Sequence, residues 1–501
     1  MTKEGLCISP YQYLTITADR REVEKEKIPG DVLLHIFDCY VAQASRIESW
    51  HILVHVCRRW RGLVFGSRCG LNLRIACTNK MPVREKLDVW RLKEAPQIPI
   101  VVSGYCDSPS GLDHNIEAAL EHKDRVCRIK LVSAWRLERV FEALEEPFPA
   151  LTDLELWSID DDAEPIFPDP DKFLGGSSHL RSLELGGIPI PGLSKLLLSL
   201  TDLVELRIDL TSHSGFLSPN EVVTGVSALT KLKVFALEFE YITPYERESQ
   251  HALPTRAVLS ALTTFKFKGV SEYLEDFVAM VDIPCLYHLD IAFYSLDQVI
   301  FDTPQLVQLI TRIPKLQVPV KAHIGFDDPE IWIEFSSPTE ASINKLTLGI
   351  LCLSPDPQFP CMAQFCRSPF SPIPTLGSLY IGGGRYSERD RKYRIENTQW
   401  LDFLEAFAAV KNLYLSREFA PRIAPALGEL VGGRVTGVLP TLENIFIEDF
   451  QPSGPVHEAI GEFVASRQRS DPPIPIPIVI SDWAGIRPDK RQYAGDPVYL
   501  L

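Results

Sequence analysis

One pattern constrains this chain more than any other feature. A short apolar-x-x-apolar-x-apolar segment recurs as VCRIKL (126–131), LTDLEL (151–156), LRSLEL (180–185), LVELRI (203–208), LKVFAL (232–237), LTTFKF (262–267), LYHLDI (286–291), INKLTL (343–348), LGSLYI (376–381), VKNLYL (410–415) and LENIFI (442–447). The starts are 25, 29, 23, 29, 30, 24, 57, 33, 34 and 32 residues apart. The 57 is about two periods, which predicts a degenerate copy near 316–326 (LQVPVKAHIGF). Self-similarity at such a period is the mark of a solenoid, whose units cannot bury their apolar faces alone and must stack. The last two apolar positions of each copy are two apart, so both face one side of a strand. The Glu, Lys or Arg between them in LTDLEL, LRSLEL and LTTFKF faces the other side.

Helical segments separate the copies. In SEYLEDFVAMVDI, residues Leu274, Phe277, Val278 and Val281 recur at three- and four-residue steps and form one apolar stripe. Ser218, Ser271, Thr303 and Thr398 stand where helix N-caps belong, and only Ser218, with Glu221 three residues on, completes a capping box. Strand, helix and right-handed return place the strands in parallel. The expectation is an α/β chain: a right-handed solenoid with a curved parallel sheet on its concave side and helices on its convex side. The strand motif at these periods resembles the leucine-rich repeat in an irregular version. The asparagine or cysteine that usually follows the strand is mostly missing, although LELGG (183–187) keeps the motif before turning. The resemblance covers about two thirds of the chain and implies architecture rather than activity.

Residues 28–66, IPGDVLLHIFDCYVAQASRIESWHILVHVCRRWRGLVFG, read differently. Ile28-Pro29 opens a helix, with proline tolerated near a helix start and Asp31 in the first turn to complement the dipole. Val32, Leu33, Ile36, Phe37 and Tyr40 give it an apolar face. A second helix is predicted from Trp50 through Ile52, Leu53, Val56 and Cys57 to Trp60, Leu63 and Val64, with Arg58, Arg59 and Arg61 turned to water. Some forty residues cannot bury this many large apolar side chains, so surplus surface must meet something else.

This segment resembles the F-box, whose pattern is roughly leucine-proline-x-glutamate, two hydrophobic residues, then isoleucine-phenylalanine, and later valine-cysteine-arginine-x-tryptophan. Here Ile28 stands for the leucine, Pro29 matches, Asp31 replaces glutamate, Ile36-Phe37 match, and Val56-Cys57-Arg58-Arg59-Trp60 matches the second half. The linker between the halves is somewhat extended. The resemblance implies docking onto the small adaptor subunit of SCF-type cullin ubiquitin ligases, and through it onto a cullin. The implied adaptor-binding residues, in contact or in direct support, are Ile28, Pro29, Leu33, Ile36, Phe37, Val56, Cys57 and Trp60. The repeats would hold a client protein, and the chain would do no chemistry itself. A second implied reading is a repeat-based interaction protein whose F-box serves a non-degradative complex. An F-box followed by irregular repeats, with HKDRVCRIKL (122–131) and the Trp90 region KLDVWRLKEAPQIPIVV, also resembles a large family of F-box proteins of mushroom-forming fungi.

Five segments are expected: a charged leader (1–27), the F-box-like helices (28–75), a connecting region (76–124), the repeats (125–450), and a C-terminal helix with a Pro-rich capping tail (451–501). A net charge of −15 disfavours nucleic acid and anionic membrane as partners. No apolar run approaches the ~18 residues of a membrane span, and GLCISPYQYLTITA is too interrupted for a secretory signal. Eleven scattered cysteines, an odd number, fit reduced thiols and a cytoplasmic or nuclear address. No cofactor and no metal is expected. Cys361 and Cys366 lack further ligands and read as packing thiols, and His51 and His55, four apart beyond His35, lack a third ligand. The acidic run Asp160-Asp161-Asp162 with Glu164 and the mixed-charge YSERDRKYRIE (386–396) read as solvated loops. Gly382-Gly383-Gly384 reads as a turn rather than a phosphate loop, and DPPIPIPIVI (471–480) as an extended cap of the last repeat.

Overall fold

The structure, a computed structural model, describes residues 28–43, 51–66, 75–78, 98–106, 114–133, 137–159, 172–173, 179–188, 191–211, 217–239, 256–295, 303–316, 320–327, 330–336, 344–352, 358–367, 373–383, 395–430, 437–448, 453–469 and 479–482. The charged leader, the Trp90 region up to residue 97, the acidic run, residues 386–394 and the prolines of the tail lie outside them. The chain divides into two units, residues 1–75 with 91–98, and residues 76–90 with 99–501.

In the smaller unit, α1 (Gly30–Gln43) follows Pro29, whose carbonyl accepts the first helical bond from the Leu33 amide at 3.1 Å. Leu33 and Phe37, one turn apart, are buried, and the Phe37 ring meets Trp60 with centroids 4.7 Å apart. Leu53, Val54 and Val64 complete this small interior. The second helix expected over 50–64 is two helices, α2 (His51–Val56) and α3 (Arg58–Gly66). Cys57 breaks it: its carbonyl accepts the Arg61 amide at 3.1 Å, and the Trp60 amide donates to its Sγ at 3.5 Å, so a new first turn begins there. Arg61 Nε donates to the Val54 carbonyl at 3.1 Å, satisfying an acceptor left open at the end of α2.

In the larger unit the elements follow in the order β1 (Ile75–Cys77), β2 (Ile100–Cys106), α4 (His114–Leu120), β3 (Val126–Ser133), α5 (Glu138–Leu144), β4 (Asp153–Ser158), β5 (Ser182–Gly186), α6 (Leu193–Ser199), β6 (Glu205–Leu210), α7 (Pro219–Ser227), β7 (Val234–Phe239), β8 (Ala257–Val258), β9 (Thr264–Gly269), α8 (Ser271–Ala279), β10 (Val281–Asp282), β11 (His288–Ser295), α9 (Pro304–Arg312), β12 (Lys321–Asp327), β13 (Glu330–Ser336), β14 (Lys345–Cys352), α10 (Gln358–Arg367), β15 (Ser378–Gly383), α11 (Asn397–Leu404), β16 (Asn412–Leu415), α12 (Ala420–Gly428), β17 (Asn444–Ile447), α13 (Pro455–Gln468) and β18 (Val479–Asp482). Among the described residues, sixteen strands form one sheet in the order β1-β2-β3-β4-β5-β6-β7-β9-β11-β14-β13-β12-β15-β16-β17-β18, while β8 and β10 pair with each other. The sheet therefore begins before the expected boundary at 125, because β2 pairs in parallel with β3.

Register explains why the units stack. The last two apolar positions of every copy align into two inward ladders. One runs from Ile129 through Leu154, Leu183, Leu206, Phe235 and Phe265 to Leu289, and the other from Leu131 through Leu156, Leu185, Ile208, Leu237 and Phe267 to Ile291. All of these side chains are buried. Each contributes about 1.5–3 kcal/mol of burial that no single repeat could gain alone. Thr152 and Thr263 latch neighbouring copies, their hydroxyls donating at 3.0 Å to the carbonyls of Cys127 and Lys233, the matching position one repeat earlier. At the turn after β5, Gly187 has φ +65°, and a Cβ there would fall 2.1 Å from the Ser158 carbonyl oxygen, so only glycine fits.

The sheet departs from the expected all-parallel order in one place. β11 pairs with β14, not with β12, and β13 runs antiparallel between β14 and β12. The cause is local. Only Asp328-Pro329 separates β12 from β13, and two residues can close a hairpin but cannot cross over to a parallel strand. The degenerate copy near 316–326 is thus β12, three positions along the sheet from β11.

Helix starts depart too. Ser218 caps α7 in the expected box with Glu221, whereas Val270, not Ser271, is the N-cap of α8. Thr303 precedes α9 without a side-chain bond; the buried Glu275 of α8 caps that helix instead, accepting the Gln305 and Leu306 amides at 2.8 and 2.9 Å. Glu396, not Thr398, caps α11 and forms a second box with Gln399.

Candidate binding surfaces

α1 carries more apolar surface than its own unit covers. Leu33 and Phe37 point inward, but Val32, Ile36 and Tyr40, at four-residue steps, are 44, 49 and 39% exposed, and Ile28, two residues before the helix, is 49% exposed. Side chains at this spacing share one flank of a helix. Asp31, His35 and Asp38 are exposed as well. On α2, Ile52 and Val56 are also exposed, at 51 and 55%.

The residues singled out from the sequence thus divide. Ile28, Pro29, Ile36, Val56 and Cys57 lie at the surface; Trp60 is half-buried; Leu33 and Phe37 form the interior and can act on a partner only by shaping the helix that meets it. Val32, Tyr40 and Ile52 belong with the outward set. Sequence spacing placed Val32 and Tyr40 on the apolar face of α1 but could not separate its covered flank from its bare one.

The second surface is the outward face of the sheet, opposite the two apolar ladders. Register aligns its side chains in rows. One row reads Lys130, Glu155, Glu184, Arg207, Ala236, Lys266 and Asp290; the next reads Trp157, Gly186, Asp209, Glu238 and Lys268. Cross-strand charge pairs tie the first strands together: Arg128 to Asp153 at 2.7 Å and Lys130 to Glu155 at 2.6 Å. Burial works against the charge of Arg207, but its 2.7 Å bond to Glu205 and the nearby charges of Glu205, Glu184 and Glu238 together outweigh it and hold the guanidinium charge more firmly than usual. Glu184 shifts the other way: burial, with Glu155 beside it, raises its pKa against the pull of Arg207 at 3.9 Å.

Further along, the same face turns aromatic. Tyr380, Tyr414 and Phe446 stack in register, with centroids 4.1 and 4.5 Å apart and planes within 10°. His323 packs edge-on against Trp332 at 4.9 Å. A short polar ladder runs alongside, Asn444 Nδ2 donating to Asn412 Oδ1 at 2.8 Å and Asn412 Nδ2 to Ser378 Oγ at 3.3 Å. These rows could have been found in the sequence by aligning the polar positions of the repeat rather than its apolar ones.

The remaining candidates sit as follows. Cys361 and Cys366 are buried on α10, and burial pushes the Cys366 thiol far above its ordinary range. Gly382 and Gly383 belong to β15 rather than to a turn. His55 is exposed, and among the described residues no three His, Cys, Asp or Glu side chains converge as metal ligands. The described end of the Pro-rich tail is β18, added in parallel to β17. No helix among the described residues is long and apolar enough to cross a membrane.

No protein-family model matches this sequence, and no curated protein matches it. Among solved structures, the leucine-rich repeat-containing protein LegL7 from Legionella pneumophila is similar at 12% identity, covering 78% of this chain and 97% of its own, with a TM-score of 0.29.

Proposed function

We propose that this chain is the substrate-receptor subunit of an SCF-type cullin ubiquitin ligase. Its α1–α3 unit docks on the adaptor, and its repeat sheet holds a client protein. The observation that carries the reading is the bare row Val32, Ile36 and Tyr40, with Ile28 just before the helix, an apolar flank left exposed on a helix whose Leu33 and Phe37 already close an interior. A helix laid into a partner's groove uses anchors at this spacing. The F-box-like order of Ile28-Pro29, Ile36-Phe37 and Val56-Cys57-Arg58-Arg59-Trp60 supplies the identity of the partner. Tethering a client beside a ubiquitin-loaded enzyme raises the effective concentration of its lysines, and the chain needs no catalytic group of its own. Such a complex works in the cytoplasm or nucleus.

The test is capture of purified adaptor by the full chain. Ile36→Asp abolishes capture while melting as wild type does. Undiminished capture by Ile36→Asp and Val32→Asp refutes the assignment. A non-degradative complex is the second reading, and it predicts adaptor capture without neddylated cullin or ubiquitylated client in the same preparation.

A further inference from the structure

Helix α8 packs on the inward ladders, its Phe277 against Phe235 and Phe265, and on the opposite face of the sheet Lys130, Glu155, Glu184 and Arg207 stay exposed or part-exposed. Over β3–β7 this face sinks into a concavity of about 380 Å³. Carboxylates outnumber cations in its lining, with Lys268 just outside it, in register beside Glu238. Three cations, Arg128, Lys130 and Arg207, face six carboxylates: Asp153, Glu155, Glu184, Glu205, Asp209 and Glu238. Each cation already holds one carboxylate within 2.7 Å, namely Asp153, Glu155 and Glu205. Among the described residues the closest cation to Glu184 is Arg207, at 3.9 Å, with Lys130 adding a weaker pull, and the Glu184 side chain keeps 26% of its surface open.

The shape is as telling as the charge. Gly186 lies beside Trp157 in register, and a Cβ on it would fall 2.2 Å from the indole ring. The ring therefore lies across the glycine and walls the concavity two residues along β4 from Glu155. A flat aromatic wall beside the Glu184 carboxylate suits a planar, weakly hydrated cation that can stack and donate two hydrogen bonds at once. Lysine lacks the plane, and phosphate or carboxylate is repelled.

We propose that this concavity binds the client protein through an exposed arginine, its guanidinium bonded to Glu184 and its stem lying on Trp157. This deepens the reading above by giving the chemistry of the client; it does not depend on the adaptor being bound. Electrostatic complementarity of this kind steers encounter and rejects acidic partners.

The experiment is titration of the full chain, without adaptor, with a short glycine–serine peptide carrying three arginines, followed by calorimetry at low ionic strength. Wild type binds this peptide more tightly than the matching lysine peptide and does not bind the glutamate peptide. Glu184→Gln and Trp157→Ala each weaken binding about tenfold or more. Glu142→Gln removes an exposed carboxylate on α5 and leaves affinity unchanged. Equal affinity in all three variants shows attraction to net charge alone and overturns the proposal, as does absence of binding by wild type. Ile36→Asp binds the peptide as wild type does whether or not it captures adaptor, so failure of the adaptor reading is seen separately.

Discussion

Removal of the Glu275 carboxylate tests how the repeats hold one another. Glu275 is 4% exposed on α8, yet its two oxygens serve the next helix, accepting the first amides of α9 at 2.8 and 2.9 Å. Thr303, in the capping position, makes no side-chain bond, so the carboxylate of one repeat does the capping of the next. Glu275→Ala leaves two amides without this acceptor. A lost cap costs about 0.5–2 kcal/mol, and a buried donor left unsatisfied about 1–3 kcal/mol. Taking the two together, local opening of the first turn of α9 becomes easier by about 2–4 kcal/mol, or roughly thirty- to a thousandfold. Hydrogen exchange read by mass spectrometry on peptides spanning 304–312 measures this directly. Glu275→Gln retains one acceptor and falls between. Glu272→Ala, exposed on the same helix, changes nothing in that peptide. If exchange across α9 in Glu275→Ala stays within about threefold of wild type, under 1 kcal/mol, the capping argument is wrong.

Other outcomes follow from burial and geometry. Phe37→Ala empties a fully buried site against Trp60 and costs the smaller unit about 3–5 kcal/mol, while Ile36→Ala, half exposed, stays within about 0.5 kcal/mol; proteolysis of residues 30–66 along a thermal ramp separates them. Gly187→Ala forces a Cβ onto the Ser158 carbonyl at positive φ and destabilises the turn after β5 by more than the ~1 kcal/mol usual for a surface change, seen as a lowered melting temperature. Glu184→Gln stabilises the fold at pH 7, because the raised pKa of Glu184 means that the folded state disfavours its charge. That gain shrinks as pH falls through the raised value and vanishes below the ordinary 4.5, where both states carry the neutral acid; a gain independent of pH would contradict it.

The two inward ladders were legible because each copy states the same alternation, and a strand with one polar and one apolar side can be read residue by residue. β13 was not. Its EIWIEFS places Trp332 outward, where the ring fills the space over Gly325 across the hairpin, so an apolar residue sits on the polar side and hides the period. β2 was missed for the opposite reason: Ile100, Val101 and Val102 are all buried, so no alternation marks the strand. The Glu396–Gln399 box escaped because glutamate is an uncommon cap. On α1 the spacing showed apolar residues over much of the helix circumference. Which flank met α3 depended on the break at Cys57, and that break is made by a thiol and an arginine rather than by proline or glycine.

The reversed strand β13 also sets a timetable for synthesis. In the all-parallel part of the sheet, each new strand covers the edge left by the one before. β11 breaks this rule, because its neighbour is β14 and the chain must be made through Cys352 before that neighbour exists. At about 5–20 residues per second, the backbone of Phe293 and Tyr294 waits several seconds with its hydrogen-bonding edge bare. An emerging polypeptide is most open to wrong pairing at such an edge, and a chaperone that attends this molecule has its work in that interval.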